Sequence, residues 1–194
     1  MSADALALVE LDSVARGYLA VDALVKRSPV DLLEANLVEP GKFLILFAGG
    51  VAEVEEAMEA ALEVAEDAVM DKLLLPFVHE AIVPGLRGEQ VQVYPDTIGV
   101  VEGRTIASVL GACDRALKDA EVKLTGLRIT PALGGRAFFV VQGVQSDVEA
   151  ALEVARAKLE TAQTLHRVEL IPRPHLEFLA VLLRPAPFSL ETSS

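Results

Sequence analysis

The chain is written twice, and that repetition limits its fold more than any other feature. LALVELDSVARGYLAVDALVK (6–26) aligns with IGVVEGRTIASVLGACDRALK (98–118) at an offset of 92 residues (98 minus 6). The alignment pairs Val9 with Val101, Glu10 with Glu102, Ser13 with Thr105, Asp22 with Asp114 and Lys26 with Lys118. PGKFLILFAG (40–49) then matches GGRAFFVVQG (134–143) at 94 (134 minus 40), so the second copy carries two extra residues before that turn. LLPFVH (74–79) matches LIPRPH (170–175) at 96 (170 minus 74). The string ALEVA, at 61–65 and 151–155, sits at an offset of only 90 (151 minus 61) and would break the register fixed by Gly49 with Gly143 and Val54 with Val148. It is a chance match between two Ala/Glu-rich helices. A unit of this length is too long for a solenoid repeat. Two homologous domains in tandem, 1–88 and 89–194, fit the 194 residues.

Each copy carries the same element order. In the first, ALALVEL alternates as a strand does. Ser13 caps a helix predicted to run to about Arg27 and to bury Val14, Tyr18, Val21 and Val25. Asp22 and Lys26 stand four residues apart on it, a favourable surface pair, and Pro29 marks its end. VDLLEANL and KFLILF read as two strands joined by the tip LVEPGKF (37–43). Gly49 and Gly50 break the sheet before a second helix with a Val51, Val54, Met58, Ala61, Ala65 stripe. Its glutamates, Glu53, Glu55, Glu56, Glu59, Glu63 and Glu66, read as a solvated face and not as a cation site. KLLLPF closes the copy. The predicted class is α+β: two tandem ferredoxin-like β-α-β-β-α-β domains, each a sheet covered on one side by two helices. GLRGEQVQVYPDT (85–97), rich in turn formers, joins the copies.

Composition removes several function classes. Net charge is −12, against nucleic acid as a partner, since phosphate neutralisation needs clustered Lys and Arg. Hydrophobic residues make up 52% and mean hydropathy is +0.41, an excess that a subunit interface would bury. No apolar run reaches the roughly 18 residues of a membrane helix, and the N-terminus has no basic region followed by an apolar core that would suggest export. The single cysteine, Cys113, cannot form an internal disulfide, and it reads as a small core residue. With three histidines spread along the chain, no zinc pattern is visible. His79 and His175 read as packing or hydrogen-bonding groups and His166 as a surface residue. No nucleophile elbow, P-loop or metalloprotease motif occurs, so no catalytic residue is expected.

The motifs VELDSVARGYLAVDALVKRSPVDLL, PGKFLILFAGGVAEVEEA, DALVK with DRALK, and IPRPH, in order and doubled, resemble bacterial microcompartment shell proteins. The doubling points to their tandem-domain class, nearest to subunits of PduT type. The resemblance covers about residues 5–178. It implies a non-enzymatic shell protein in the cytoplasm: a homotrimer, pseudohexameric, forming facet tiles that pack with hexameric and pentameric shell proteins. It also implies that the loop between the second and third strands faces the three-fold axis, where one residue becomes a ring. Those loops are Val38, Glu39, Pro40, Gly41 and Lys42 in copy one, and Ala132, Leu133, Gly134, Gly135 and Arg136 in copy two. Lys42 and Arg136 are expected to blunt the charge of Glu39, and small metabolites are the expected traffic. Lys26, Lys118 and Arg173 are implied at tile edges; copy one has Phe77 in place of Arg173. The PduT-like pattern carries a cysteine just before Pro-Gly-Lys, implied to hold an iron–sulfur cluster on the axis. This chain has Glu39 there, so no cofactor is expected. Two other readings remain: a duplicated small-molecule sensor or enzyme, and a shell tile with a metal held by the Glu39 ring.

Overall fold

The structure is a computed structural model that describes residues 4–89, 96–129 and 134–182. The first copy runs β1 (Ala5–Leu11), α1 (Val14–Arg27), β2 (Asp31–Val38), β3 (Lys42–Gly49), α2 (Val51–Ala65) and β4 (Val69–Pro76). After the short helix α3 (Ile82–Leu86), the second copy runs β5 (Thr97–Gly103), α4 (Ile106–Asp119), β6 (Lys123–Arg128), β7 (Ala137–Gly143), α5 (Gln145–Thr161) and β8 (Leu165–Pro172), followed by α6 (Leu176–Leu182). Both sheets are antiparallel with the same order, β2-β3-β1-β4 and β6-β7-β5-β8. That is the ferredoxin-like arrangement, twice. The stepped offsets reappear as geometry: β1 and β5 start 92 apart (97 minus 5), β3 and β7 end 94 apart (143 minus 49), and β4 and β8 start 96 apart (165 minus 69). The second step falls at the end of α5, which is 17 residues long where α2 has 15.

Residues 4–78 form one compact unit together with Gly134 and Gly135; the other described residues form the second. His79–Leu86 therefore packs with the second unit, where α3 lies against β6 and α4. Gly85 and Leu86, expected in the connecting segment, belong to this helix, and Thr97 opens β5. Residues 90–95 lie outside the described residues.

In the first unit, Ala5, Ala7, Val9 and Leu11 of β1 and Phe43, Ile45 and Phe47 of β3 face the helices. They meet Ala20 and Leu24 of α1 and Val54, Ala57, Met58, Ala61 and Ala65 of α2. Ser13 caps α1 by accepting a hydrogen bond from the Arg16 N–H at 3.3 Å, and Asp22 pairs with Lys26 at 2.6 Å, both as the spacing requires. The buried stripe of α1 differs from the expected one. Gly17, Ala20 and Leu24 are buried, whereas Tyr18 is 63% and Val25 47% exposed. Val14 and Val21 are half-buried against the core. The reason is steric: α1 lies so close to β3 that a Cβ on Gly17 would overlap the Phe43 ring. The small side of the helix therefore faces the sheet, and the Tyr18 ring meets Phe43 edge-on at 5.3 Å from outside.

The sheets are also buried more fully than one layer of helices would achieve. Alternate residues of a strand point to opposite faces, yet Leu6, Leu8, Leu44 and Leu46, opposite the helix-facing set, are buried too. In the second unit the extra cover is α6, whose Leu179 and Leu182 pack on Ile98, Val100, Phe138 and Val140. Cys113 is fully buried in α4, and burial, with the Asp114 charge, pushes its thiol well above the ordinary range. Among the described residues, no helix is long and apolar enough to cross a membrane.

Two outcomes follow. Gly17→Val should lower stability by about 1–3 kcal/mol through overpacking, read as a lower urea midpoint. Cys113 should resist thiol reagents until the chain unfolds. Because the folded thiol keeps its proton while an unfolded one ionises near pH ~8.5, this stability contribution is intact below that pH and is lost above it. Wild-type stability should fall with pH relative to Cys113→Ala, by up to about 1.4 kcal/mol per pH unit, in urea melts between pH 7 and 10.

Candidate functional site

The β2–β3 tip is a tight turn in which Glu39, Pro40 and Gly41 are exposed, with Val38 buried behind them. The Glu39–Pro40 peptide is cis. Gly41 has φ +98°, a conformation side chains rarely adopt, and a Cβ there would touch nothing, so the glycine serves the turn and not a close approach. Gly134 and Gly135, in the second copy's tip, have φ +61° and +77°. They belong to the first compact unit, where a Cβ on Gly135 would stand 3.1 Å from Lys42 Nζ. Leu133 and Ala132 lie outside the described residues.

Lys42 does not pair with Glu39. Its Nζ lies 3.6 Å from Oε2 of Glu10, a β1 carboxylate only 2% exposed. The cation opposes a charge that burial would otherwise strongly disfavour. Glu39 has no hydrogen bond or ion pair with any described residue, so its carboxylate is the free charge of the first tip.

The second copy builds the same foot of the tip from different groups. Arg136, equivalent to Lys42, lies with Nη1 3.4 Å from Nε2 of His166, and that nitrogen lies 3.6 Å from Oε2 of Glu102, equivalent to Glu10. His166 was legible in the sequence only as a surface residue. What brings it in is a β-bulge: Glu102 pairs with Arg167 and Gly103 with Leu165, leaving His166 as the extra residue of β8. The first copy bulges at the equivalent Met70. Arg136 itself is exposed.

The residues assigned to tile edges lie apart from the tips in sequence. Lys26 is exposed and Lys118 pairs with Asp114 at 2.7 Å. Phe77 and Arg173 occupy matching left-handed positions, with φ +55° and +47°, and both are exposed. His79 and His175 follow them in matching turns, each accepting through Nδ1 the N–H two residues on, of Ala81 and Glu177. Both histidines make hydrogen bonds, as expected. The α2 glutamates are all exposed. Glu66 pairs with Arg16 at 2.9 Å.

The BMC domain model matches residues 5–78 and again 97–174. The chain belongs to the BMC-domain family. This BMC-domain chain is 34% identical over 171 residues to the bacterial microcompartment shell protein PduT of Citrobacter freundii, covering 88% of the chain and 93% of that protein. It is 28% identical over 190 residues to the carboxysome assembly protein CcmO of a Synechocystis strain, covering 89% of the chain and 62% of that protein. Among solved structures, a microcompartment protein of Desulfitobacterium hafniense superposes with a TM-score of 0.84 at 33% identity, covering 91% of the chain and 98% of that structure. A fused permuted hexameric shell protein of the RMM microcompartment shares the fold, with a TM-score of 0.60 at 22% identity over 82% of the chain and 85% of that structure. The BMC-domain chain is a structural protein of the microcompartment shell, and the sensor reading is not favoured.

The buried Glu10 makes a test of the tip's foot. Lys42→Ala should lower stability by about 1–3 kcal/mol in urea unfolding, because it leaves a buried acceptor without its cation. Lys42→Arg should recover most of the loss.

Proposed function

We propose that this BMC-domain protein is a homotrimeric, pseudohexameric facet subunit that packs with hexameric and pentameric shell proteins, and that its paired tips ring a central opening. The observation that carries the reading is the tandem domain with a free carboxylate, Glu39, at the tip of the first copy. Pro40 and Gly41 from one tip, and Gly134 and Arg136 from the other, complete the rim, with the buried Val38 and Gly135 and the engaged Lys42 behind it. Three-fold symmetry turns each into a ring of three. Lys42 is engaged by Glu10 below the tip, so the rim's charge comes from Glu39 and Arg136. Lys26, Lys118 and Arg173 contact neighbouring tiles.

Three carboxylates about 7 Å apart repel by roughly 0.6 kcal/mol per pair in water, and by about 2.4 kcal/mol at an effective dielectric of 20. The three Arg136 guanidiniums offset that repulsion. The resulting alternating rim passes small polar metabolites and favours cations over anions where Glu39 dominates. The protein acts without catalysis and without a resident cofactor. An axial iron–sulfur cluster does not fit these residues: Glu39 is not a thiolate, and Cys113 is fully buried in α4.

Shells assembled with Glu39→Gln should pass small anions faster than wild-type shells, with neutral solutes of similar size changed less. The measurement is entry of charged and neutral probes into purified shells. Equal rates for both variants would remove Glu39 from the rim.

A further inference from the structure

The two tips stand on feet that answer acid differently. In the first copy Lys42 meets Glu10 directly, Nζ to Oε2 at 3.6 Å. A lysine–carboxylate pair contains no side chain of the kind that ordinarily changes charge between pH 5 and 8; histidine is that side chain. In the second copy His166 stands between the equivalents, Arg136 and Glu102, at the bulge position that Met70 fills in the first. The bridge runs through one atom. Nε2 of His166 lies 3.4 Å from Nη1 of Arg136 and 3.6 Å from Oε2 of Glu102. A guanidinium can only donate, so the contact with Arg136 needs a lone pair on Nε2: a neutral ring with its proton on Nδ1. A carboxylate can only accept, so the contact with Glu102 needs a proton on that same nitrogen. One atom cannot serve both at once, and its protonation decides which partner it holds.

The other charged groups around this face leave the choice to His166. Glu102 points away from α4 and α5, because its neighbour Gly103 faces them: a Cβ there would meet Val109 and Leu159. α5, with Lys158 and Glu160 near its end, therefore lies across the sheet from the Glu102 carboxylate. On β8 itself, Arg167 is held by Glu169 at 3.4 Å. On β6, Arg128 donates to the Leu127 carbonyl at 3.2 Å. Arg104, just beyond β5, and Glu177, on the α6 that covers the Glu102 side of the sheet, form no ion pair with any described residue.

We infer that His166 is a proton-driven switch at the foot of the second tip, which regulates the opening that the tips surround. The neutral ring accepts from Arg136 and holds its guanidinium. The protonated ring gives its Nε2–H to Glu102, repels Arg136 and releases it at the exposed tip. Each chain then adds one positive charge to the rim, and three-fold symmetry multiplies it. Acid therefore makes the rim more positive and favours the passage of anions. The first tip, on its Lys42–Glu10 foot, keeps its form throughout. This regulation rests on the reading of the tips as a central opening.

The test reads the ring and the opening separately. In free histidine the neutral ring prefers its proton on Nε2, so the reverse is diagnostic. Nitrogen NMR of the purified protein with isotope-labelled histidines, assigned with His166→Gln, should find the His166 proton on Nδ1 at about pH 8 and a second proton arriving as the pH falls toward about 5.5. Arg136→Ala should return the neutral ring to Nε2–H. In shells assembled with this chain, iodide should quench an enclosed pH-insensitive dye about threefold faster or more at the lower pH, with neutral acrylamide changed little. His166→Gln, which offers Arg136 an acceptor and Glu102 a donor without titrating, should remove that pH dependence. A neutral ring protonated on Nε2, or one indifferent to Arg136→Ala, overturns the switch. Iodide entry that responds to Glu39→Gln but not to pH, or that keeps its pH dependence in His166→Gln, overturns the regulation and leaves the opening standing. Entry indifferent to Glu39→Gln and to pH alike overturns both.

Discussion

The central strand of each sheet is the constraint on which everything else depends. β1 is hydrogen-bonded to β3 on one side and β4 on the other, and each of its seven residues is buried. A one-residue slip would exchange its two faces, taking Glu10 out of reach of Lys42. The position of the hairpin tip follows from this strand, because β3 is held against it from Phe43 to Gly49. The tip can be exposed and carry an unpaired carboxylate because the charge beneath it is already matched.

Duplication kept this frame and changed its fittings. At the foot of the tip, a Glu–Lys pair in one copy becomes Glu, His and Arg in the other, with His166 placed by a bulge that both copies share. On the first helix the frame is equally constant, down to an Asp–Lys pair four residues apart in both copies. What differs is the covering. A single-domain subunit would have to present the same surfaces at every junction. A tandem chain lets equivalent positions diverge, and here Arg173 stands where the first copy has Phe77.

Much of this was legible in the sequence, for identifiable reasons. Strand alternation, the Ser13 cap and the stepped offsets are local or periodic signals, and each reappears as geometry. The face of α1 was misread because hydrophobicity marks Tyr18 and Val25 as core, whereas the requirement that decides is space: only Gly17 fits against Phe43. The partner of Lys42 was misread because its sequence neighbour is Glu39, while its spatial neighbour, Glu10, is contributed by a strand 32 residues earlier (42 minus 10). His166 was missed because a bulge leaves no mark in the residues that form it.

The sequence by itself determined the two-domain plan, the order of elements and the register between copies, since these depend on repetition and on periods of two and 3.6 residues, and its doubled motifs carried the resemblance to the family. Tertiary structure alone decided which charge at the tip is free, which histidine stands beside Arg136, and which apolar residues of the first helix stay uncovered. Those depend on distances between segments remote along the chain, and no pattern within a segment records them.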